Sequence, residues 1–307
     1  MRRFFPLALT LALLVGAAGA FAVTARLKLV PSPIVTPEVT STFSPICGCP
    51  TARAQITFSL REGSRVTVDV IDAEGERVAR VADGERHDAG PVRFTWDGRE
   101  DARNDVAPEG SYRMRVELGR RTIVLHNETE IDVTPPVLSA SEVAPTTFSP
   151  DGDRRADKVR LAYRVSERAT VVAMINGRRT LVGRPRTEGK IEWYGKRDGE
   201  SMRPGLYAVT LVAFDRAGNR SQPAPTAVVR IRYVELAPRR LRVRPGARFA
   251  VRVSTDARSY RWRLGRRQGT ASGELLRLRA PRLVGRHTLR VFHNGHEAAV
   301  ALFVRRG

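Results

Sequence analysis

The chain has 307 residues, of which 42% are apolar, and its 53 basic and 32 acidic side chains give a formal net charge of +21. This length exceeds the usual size of one domain, and the apolar fraction is sufficient for several modest cores, so two to three domains are expected. The charge favours an anionic partner. Only four basic residues are lysines, and a GC-rich coding sequence would give the same arginine bias without any binding role.

Residues 4–23 carry no charged side chain and follow Arg2 and Arg3. About 20 apolar residues can cross a bilayer as a helix, and the positive flank predicts export of everything that follows. The run Ala18-Gly19-Ala20 also fits a signal-peptidase site. Residues 1–34 are therefore interpreted either as a membrane anchor with a proline-containing spacer, giving a single-pass membrane protein, or as a signal peptide whose removal gives a secreted one.

Short stretches beyond this segment alternate apolar and polar residues between Gly, Asp, Asn and Pro. The clearest apolar sets are Ile56, Phe58 and Leu60; Val66, Val68 and Val70; and Tyr112, Met114, Val116 and Leu118. Period-two alternation is typical of strands buried on one face. With no convincing amphipathic helix in the sequence, the predicted fold class is all-β, with tandem antiparallel β-sandwiches after an N-terminal hydrophobic helix.

Two successive stretches of the chain follow one plan. Residues 42–45 and 147–150 both read Thr-Phe-Ser-Pro, Trp96 matches Trp193, and the Gly-x-Tyr of residues 110–112 recurs at residues 205–207. A repeat of about 100 residues is domain-sized, unlike the shorter repeats of solenoids. Pro135 and Pro136 indicate a stiff joint, so we predict related sandwiches at residues 35–134 and 135–236 and a third, basic Ig-like β-domain at residues 237–307.

Several runs together resemble a known domain family. They are residues 148–153 (Phe-Ser-Pro-Asp-Gly-Asp), 95–99 (Thr-Trp-Asp-Gly-Arg), 108–112 (Pro-Glu-Gly-Ser-Tyr) and 214–219 (Phe-Asp-Arg-Ala-Gly-Asn). They resemble the FlgD-type (FlgD/Vpr) Ig-like domain, in two tandem copies across residues 38–234. That family occurs in the flagellar hook-capping protein and on secreted proteases and other bacterial surface proteins. The resemblance implies an Ig-like sandwich in the cell envelope, although the first copy lacks the acidic loop and Tyr194 replaces the family's Asp.

The second copy contains an acidic loop with Asp151, Asp153 and Asp157. Calcium prefers several oxygen ligands, so these carboxylates are a candidate calcium site. Arg154 and Arg155 lie within the loop, and Asp-Gly is also a common turn without a metal. A structural turn is therefore the alternative to a metal site.

The first copy has Cys47 and Cys49 at the equivalent place. Export would expose both thiols to an oxidising compartment, and we identify the pair as a disulfide candidate although a ring with one intervening residue is strained. An intermolecular bridge and free thiols are the alternatives, and a two-thiolate metal site would need two further ligands.

The third domain has 18 arginines and three acidic residues between residues 238 and 307, a net charge of +15. Arginines at alternating strand positions would project from one sheet face while the intervening residues pack. The candidates for an anion-binding face are Arg240, Arg242, Arg244, Arg261, Arg263, Arg277 and Arg279. Guanidinium groups bind phosphate and carboxylate bidentately, so anionic envelope polymers or lipid headgroups are the expected partners. An ordinary solvated surface is the alternative.

No motif in the sequence predicts an enzyme. The chain has no GxSxG elbow, no phosphate-binding glycine loop and no His-Glu-x-x-His zinc helix. We interpret it as a non-catalytic, extracytoplasmic structural or adhesive envelope protein with no cofactor apart from the calcium hypothesis, no nucleic-acid partner, and membrane contact through residues 4–23 if they are retained. A scaffolding role in assembly, like that of the hook-capping protein, is the second hypothesis. An exported enzyme would require a pocket with clustered titratable groups.

Overall fold

The computed structural model describes residues 13–18 and 31–306, and the described chain divides into two compact units between Val133 and Thr134. A short helix covers residues 13–18, and the rest of the predicted apolar segment lies outside the described residues. No helix in the described ranges is long and apolar enough to cross a membrane. Residues 31–306 contain strands, turns and bends but no helix, which confirms the all-β fold class.

The first unit is a β-sandwich of a three-stranded and a five-stranded sheet. Its strands are β1 (Ile34–Val39), β2 (Thr42–Phe43), β3 (Ala54–Leu60), β4 (Ser64–Ile71), β5 (Arg77–His87), β6 (Gly90–Trp96), β7 (Gly110–Leu118) and β8 (Arg121–Ile131). They are ordered β1-β3-β6 in one sheet and β2-β8-β7-β4-β5 in the other. The alternating apolar residues of β3, β4 and β7 fill one core between the sheets, as their period predicts.

The second unit begins with a sandwich in which one long strand serves both sheets. The strands are β9 (Leu138–Ala144), β10 (Thr147–Phe148), β11 (Val159–Ile175), β12 (Arg178–Val182), β13 (Arg186–Trp193), β14 (Lys196–Arg197), β15 (Glu200–Ser201), β16 (Gly205–Phe214) and β17 (Ala227–Ile231). The first half of β11 pairs with β9 and β13 in one sheet. Its second half belongs to the other sheet, whose strand order is β10-β17-β16-β11-β12. The order of the first unit is thus repeated, with β11 replacing β3 and β4.

A third sandwich completes the second unit around a hydrophobic core of its own. Its strands are β18 (Val234–Ala237), β19 (Arg240–Val243), β20 (Arg248–Thr255), β21 (Tyr260–Leu264), β22 (Arg267–Ala271), β23 (Leu275–Arg279), β24 (Gly285–His293) and β25 (His296–Val304). The sheets are ordered β18-β20-β23 and β19-β25-β24-β21-β22, which is the same arrangement again. In all three sandwiches a short early strand pairs in parallel with the last one: β2 with β8, β10 with β17, and β19 with β25.

An aromatic cluster is part of the core of the first sandwich. The ring of Trp96 packs edge-on against Phe43 and Tyr112, with centroids 5.5 and 5.1 Å away. Its indole N–H donates to the carbonyl oxygen of Arg99 at 3.0 Å, and the Tyr112 hydroxyl donates to that of Pro108 at 2.7 Å. Trp96 is therefore a core residue, and it lies at the end of the alternating strand β6.

The second sandwich repeats this cluster with the same hydrogen bonds. Trp193 packs against Phe148 and Tyr207, at 5.3 and 5.7 Å between centroids. Its indole N–H donates to Lys196 O at 3.0 Å, and the Tyr207 hydroxyl donates to Arg203 O at 2.6 Å. The first two sandwiches therefore share individual aromatic contacts and hydrogen bonds as well as sequence runs.

Candidate functional site

The acidic loop of the second sandwich uses its three predicted carboxylates in different ways. Asp157 accepts hydrogen bonds from the backbone N–H groups of Gly152 and Arg154, at 2.8 and 2.7 Å, one on each carboxylate oxygen. Asp157 therefore holds the loop in shape. Oδ1 of Asp151 and Oδ1 of Asp153 also accept backbone hydrogen bonds, at 3.2 and 2.7 Å, but Oδ2 of each faces a histidine from the third sandwich.

His293, at the end of β24, brings its imidazole to this loop. Its Nε2 lies 3.4 Å from Oδ2 of Asp151 and 3.4 Å from Oδ2 of Asp153. The Asp151 side chain is fully buried, whereas those of Asp153 and His293 are 15% and 18% exposed. One ligand-type atom from each of these three residues lies within 4.8 Å of the others. We call Asp151, Asp153 and His293 the Asp–His cluster.

Asp256, just after β20, lies beside the Asp–His cluster. Burial raises the pKa of its carboxyl group, and the negative charges of Asp153 and Asp151 raise it further. The Ser149 hydroxyl and the backbone of Asp256 itself offset only part of this increase. The position is therefore electrostatically unfavourable for another carboxylate unless a positive charge is bound nearby.

The β24–β25 hairpin brings the histidine to the loop. Asn294 and Gly295 form its two-residue turn with φ of +41° and +84°, the conformation that Asn-Gly favours at a hairpin tip. The Asn294 side-chain amide donates to the carbonyl oxygen of Asp151. On the other side of the tip, the ring of His296 stacks on Tyr233 of the second sandwich, with centroids 3.5 Å apart and an interplanar angle of 4°.

Asn294-Gly295 is a sequence typical of a hairpin tip, but nothing in the sequence connects His293 or Asp256 with the acidic loop. His293 is more than 130 residues from the loop along the chain, and neither residue belongs to a local metal-binding motif. The single available signal was a histidine beside a tight turn. Only the docking of the third sandwich on the second brings these groups together.

The cysteines of the first sandwich are joined to each other. Cys47 and Cys49 form a disulfide with a sulfur–sulfur distance of 2.04 Å. It lies in the turn between β2 and β3, which is the place of the acidic loop in the second sandwich.

The predicted arginines of the third sandwich lie on two faces. Arg240, Arg242, Arg261 and Arg263 are exposed on the outer face of the five-stranded sheet, and Arg244 follows β19 in a loop. Arg277 and Arg279 project from the three-stranded sheet on the other side of the core. Alternation within each strand predicted that its arginines face outward, but it did not show which strands belong to the same sheet.

The five-stranded sheet carries the larger basic surface. Its outward arginines, which we call the arginine face, are Arg240, Arg242, Arg261, Arg263, Arg286 and Arg290. Arg263 lies directly opposite Arg290 on the neighbouring strand. Among the ion pairs of the described residues, this face contributes only that of Arg290 with Glu297, at 2.8 Å.

Aromatic side chains lie among these guanidinium groups. Phe292 is the cross-strand neighbour of Arg261, and the guanidinium carbon of Arg263 is 5.7 Å from the Phe292 ring centroid. Phe303 lies between Arg242 and Arg286 in the register of the sheet. The face therefore combines positive charge with apolar contact area.

The three-stranded sheet has a smaller basic groove. Arg248 lies directly opposite Arg279, and Ala250 opposite Arg277. Arg267 reaches the same groove and donates to the carbonyl oxygen of Arg279 at 2.8 Å. This groove is a second place where an anionic group would find several guanidinium donors.

Comparison with known proteins gives a partial family match. The model of the FlgD Ig-like domain matches residues 48–121, within the first sandwich. No curated protein matches the chain. The second sandwich repeats the strand order, but the comparison does not confirm it as a second copy of this family.

Solved structures with some likeness include three bacterial proteins. FlgD of P. aeruginosa is 20% identical, with 44% of this chain and 90% of that chain covered and a TM-score of 0.24. The fibronectin(III)-like modules of Clostridium thermocellum CbhA are 11% identical, with 65% and 93% covered and a TM-score of 0.37. SGBP-B of Bacteroides ovatus, solved with a mixed-linkage heptasaccharide, is 16% identical, with 90% and 69% covered and a TM-score of 0.25. These low values carry no information on what this chain binds.

Proposed function

We propose that this chain is an exported, non-catalytic envelope protein that binds an anionic surface polymer through the arginine face of its third sandwich. The observation that carries the proposal is the gathering of six guanidinium groups on one sheet face with a single paired acid. Like charges on neighbouring strands destabilise a sheet. A bound polyanion would relieve this repulsion and accept several charge-assisted hydrogen bonds at once.

Export is supported by two features of the chain. Residues 4–23 have the length and flanking charge of a membrane-directed segment. The Cys47–Cys49 disulfide fits an oxidising compartment. In this proposal residues 4–23 either anchor the protein or are removed as a signal, and the sandwiches lie outside the cytoplasm.

The polymer proposal is tested by titrating the full chain with poly(glycerol phosphate), with alginate and with uncharged dextran. We expect both polyanions to bind, dextran not to bind, and affinity to fall as salt screens the charges. The double variant Arg261→Gln/Arg263→Gln should bind at least about tenfold more weakly, since two charge-assisted contacts are removed.

A matched control separates the arginine face from net charge. Arg77→Gln/Arg93→Gln removes the same charge from exposed positions of the first sandwich and should leave binding nearly unchanged. Arg277→Gln/Arg279→Gln tests the groove of the three-stranded sheet in the same way. Absence of polyanion binding at low salt, or equal losses in the Arg261/Arg263 variant and the control, would reject the proposed role.

The second candidate function is scaffolding during assembly of a surface structure. The match of residues 48–121 to the FlgD Ig-like domain favours it. Genes for flagellar components beside the coding gene, and a motility defect on its deletion, would support this function. Normal motility with reduced surface attachment would favour polymer binding instead.

A further inference from the structure

Several buried polar atoms at the junction of the second and third sandwiches make no hydrogen bond of regular geometry. Nε2 of His293 and both carboxylate oxygens of Asp256 are shielded from solvent, and none has a hydrogen-bond partner of regular geometry in the described structure. The fully buried side chain of Asp151 lies beside these atoms. Buried polar and charged groups are costly unless they are hydrogen-bonded, paired or bound to a metal, so a bound cation would stabilise these atoms.

The negative charges of the junction are not balanced by basic side chains. Among the described residues, no lysine or arginine side chain forms an ion pair with Asp151, Asp153 or Asp256. Arg155 is close, but its Nε donates to the backbone oxygen of Asp256 at 2.8 Å. A bound cation would therefore supply positive charge that no lysine or arginine side chain provides in an ion pair there.

The donor atoms select the class of cation. Calcium prefers oxygen ligands alone, whereas imidazole together with carboxylate suits first-row transition metals, zinc and manganese among them. Tetrahedral zinc with bonds of about 2.0–2.1 Å separates its ligand atoms by about 3.4 Å. The two distances from His293 Nε2 to the aspartate oxygens are both 3.4 Å.

We propose that Asp151, Asp153 and His293, with Asp256 beside them, bind one divalent transition-metal ion, zinc or manganese, at the junction of the second and third sandwiches. Asp157 is left out of the site because it does not belong to the group of residues whose ligand atoms lie within 4.8 Å of one another, and both its oxygens accept hydrogen bonds from the loop backbone. The site therefore differs from the calcium loop predicted from the sequence in one carboxylate, in its histidine and in its metal.

Such an ion would link the two sandwiches. The Asp–His cluster joins the acidic loop to the β24–β25 hairpin, which is already held by Asn294 on the Asp151 carbonyl and by His296 on Tyr233. Binding an ion only in the docked state stabilises that state by mass action. Protonated His293 paired with both aspartates is the competing arrangement, and it requires no metal.

The test is isothermal titration of the full chain, stripped with a chelator and exchanged into metal-free buffer, with zinc, manganese or calcium chloride. We expect one zinc or manganese ion per chain and at least about tenfold weaker calcium binding. His293→Ala and Asp153→Asn should each weaken binding of the preferred ion at least about tenfold. The control His126→Ala, at an exposed position of the first sandwich, should bind like the wild type.

Amide exchange provides a second readout that does not rely on the heat of binding. The preferred ion should slow amide exchange in β24 and β25 of the wild type and of His126→Ala, but not of His293→Ala. Circular dichroism of the metal-free variants shows whether each remains folded, and Asp256→Asn tests the junction with a nearly isosteric change. No saturable binding by the wild type, or binding of any ion that His293→Ala and Asp153→Asn leave intact, would overturn the proposal.

Discussion

At the residue scale, Asp69 shows how the first sandwich tolerates a buried charge. Its side chain is 1% exposed on β4, and it receives hydrogen bonds from Arg80 at 2.8 Å and Arg115 at 3.2 Å. Burial alone would raise the pKa of Asp69, but the bonds and charges of the two arginines hold it below its ordinary value of 3.8. The carboxylate thereby ties three neighbouring strands together.

Replacing this carboxylate should destabilise the first sandwich. We expect Asp69→Asn to lower the free energy of unfolding by about 1–3 kcal/mol, because charge-assisted hydrogen bonds are lost and two arginines lose their buried partner. Hydrogen exchange of amides in β4 and β7 of the full chain measures the change. Asp83→Asn is the control, since Asp83 pairs with the same Arg80 but is 75% exposed. Equal effects of the two variants would contradict the role assigned to Asp69.

The effect of Asp69→Asn should also depend on pH. The folded-state pKa of Asp69 is lowered, so between that value and the ordinary 3.8 the unfolded chain binds more protons and stability rises with pH. The stabilisation by Asp69 is therefore present above the ordinary pKa and is lost as pH falls through the folded-state pKa. The difference between wild type and Asp69→Asn should be constant above about pH 5 and shrink in more acidic solution.

At the element scale, the turn after each core tryptophan explains why its glycine is needed. Gly98 has φ of +77°, and a Cβ there would lie 2.3 Å from Cγ of Pro45. Gly195 has φ of +64°, and its Cβ would lie 2.7 Å from Cγ of Pro150. The two sandwiches thus share both the left-handed turn and the close approach of a proline from the Phe-Ser-Pro segment.

Substitution of this glycine should cost more than its backbone conformation alone. Gly75→Ala, at φ of +87° with open space around it, should lower stability by about 1–2 kcal/mol through the left-handed backbone. Gly98→Ala should add about 1–3 kcal/mol, because Pro45 must move within a packed core. Urea titrations followed by hydrogen exchange in the first sandwich compare the variants. Indistinguishable losses would show that the contact with Pro45 has no energetic role.

The strands themselves could be predicted from their alternation, but the connection between the sheets could not. β3, β4 and β7 contain the apolar sets recognised in the sequence. By contrast, β11 continues from Val159 to Ile175 through both sheets, with its register shifted between Arg164 and Ala169. Strands that change sheets do so at bends, and no Gly or Pro marks this one.

At the scale of the whole molecule, one strand order serves three sandwiches with different surfaces. The sequence predicted two related sandwiches because Trp96 and Trp193 lie in matching sequence runs. The third sandwich lacks these runs, and its similarity to the other two is visible only in the strand order. The arginines were predicted to face outward because successive side chains of a strand point to opposite faces of the sheet. The Asp–His cluster was not predicted because docking, not periodicity, brings His293 to Asp151.

The concentration of charge in the third sandwich should make its stability depend on ionic strength. Between residues 238 and 307 the net charge is +15, and salt screens such self-repulsion. We expect amide exchange in β20 to β25 of the full chain to slow between about 20 and about 300 mM sodium chloride. Arg261→Gln/Arg263→Gln should reduce this dependence, and Arg77→Gln/Arg93→Gln should not. Exchange that is independent of salt would contradict the expectation.

The parallel pairing of the short early strand with the last strand determines how each sandwich would respond to mechanical load. Because these two strands run in the same direction, the chain enters a sandwich at one end and leaves at the other. Tension along the chain would pull them past each other and strain their hydrogen bonds together, among them those of Glu130 N with Ser41 O and Arg305 N with Val243 O. Such shearing resists extension better than breaking the bonds one after another, so each sandwich should stay folded when the chain is pulled from its two ends.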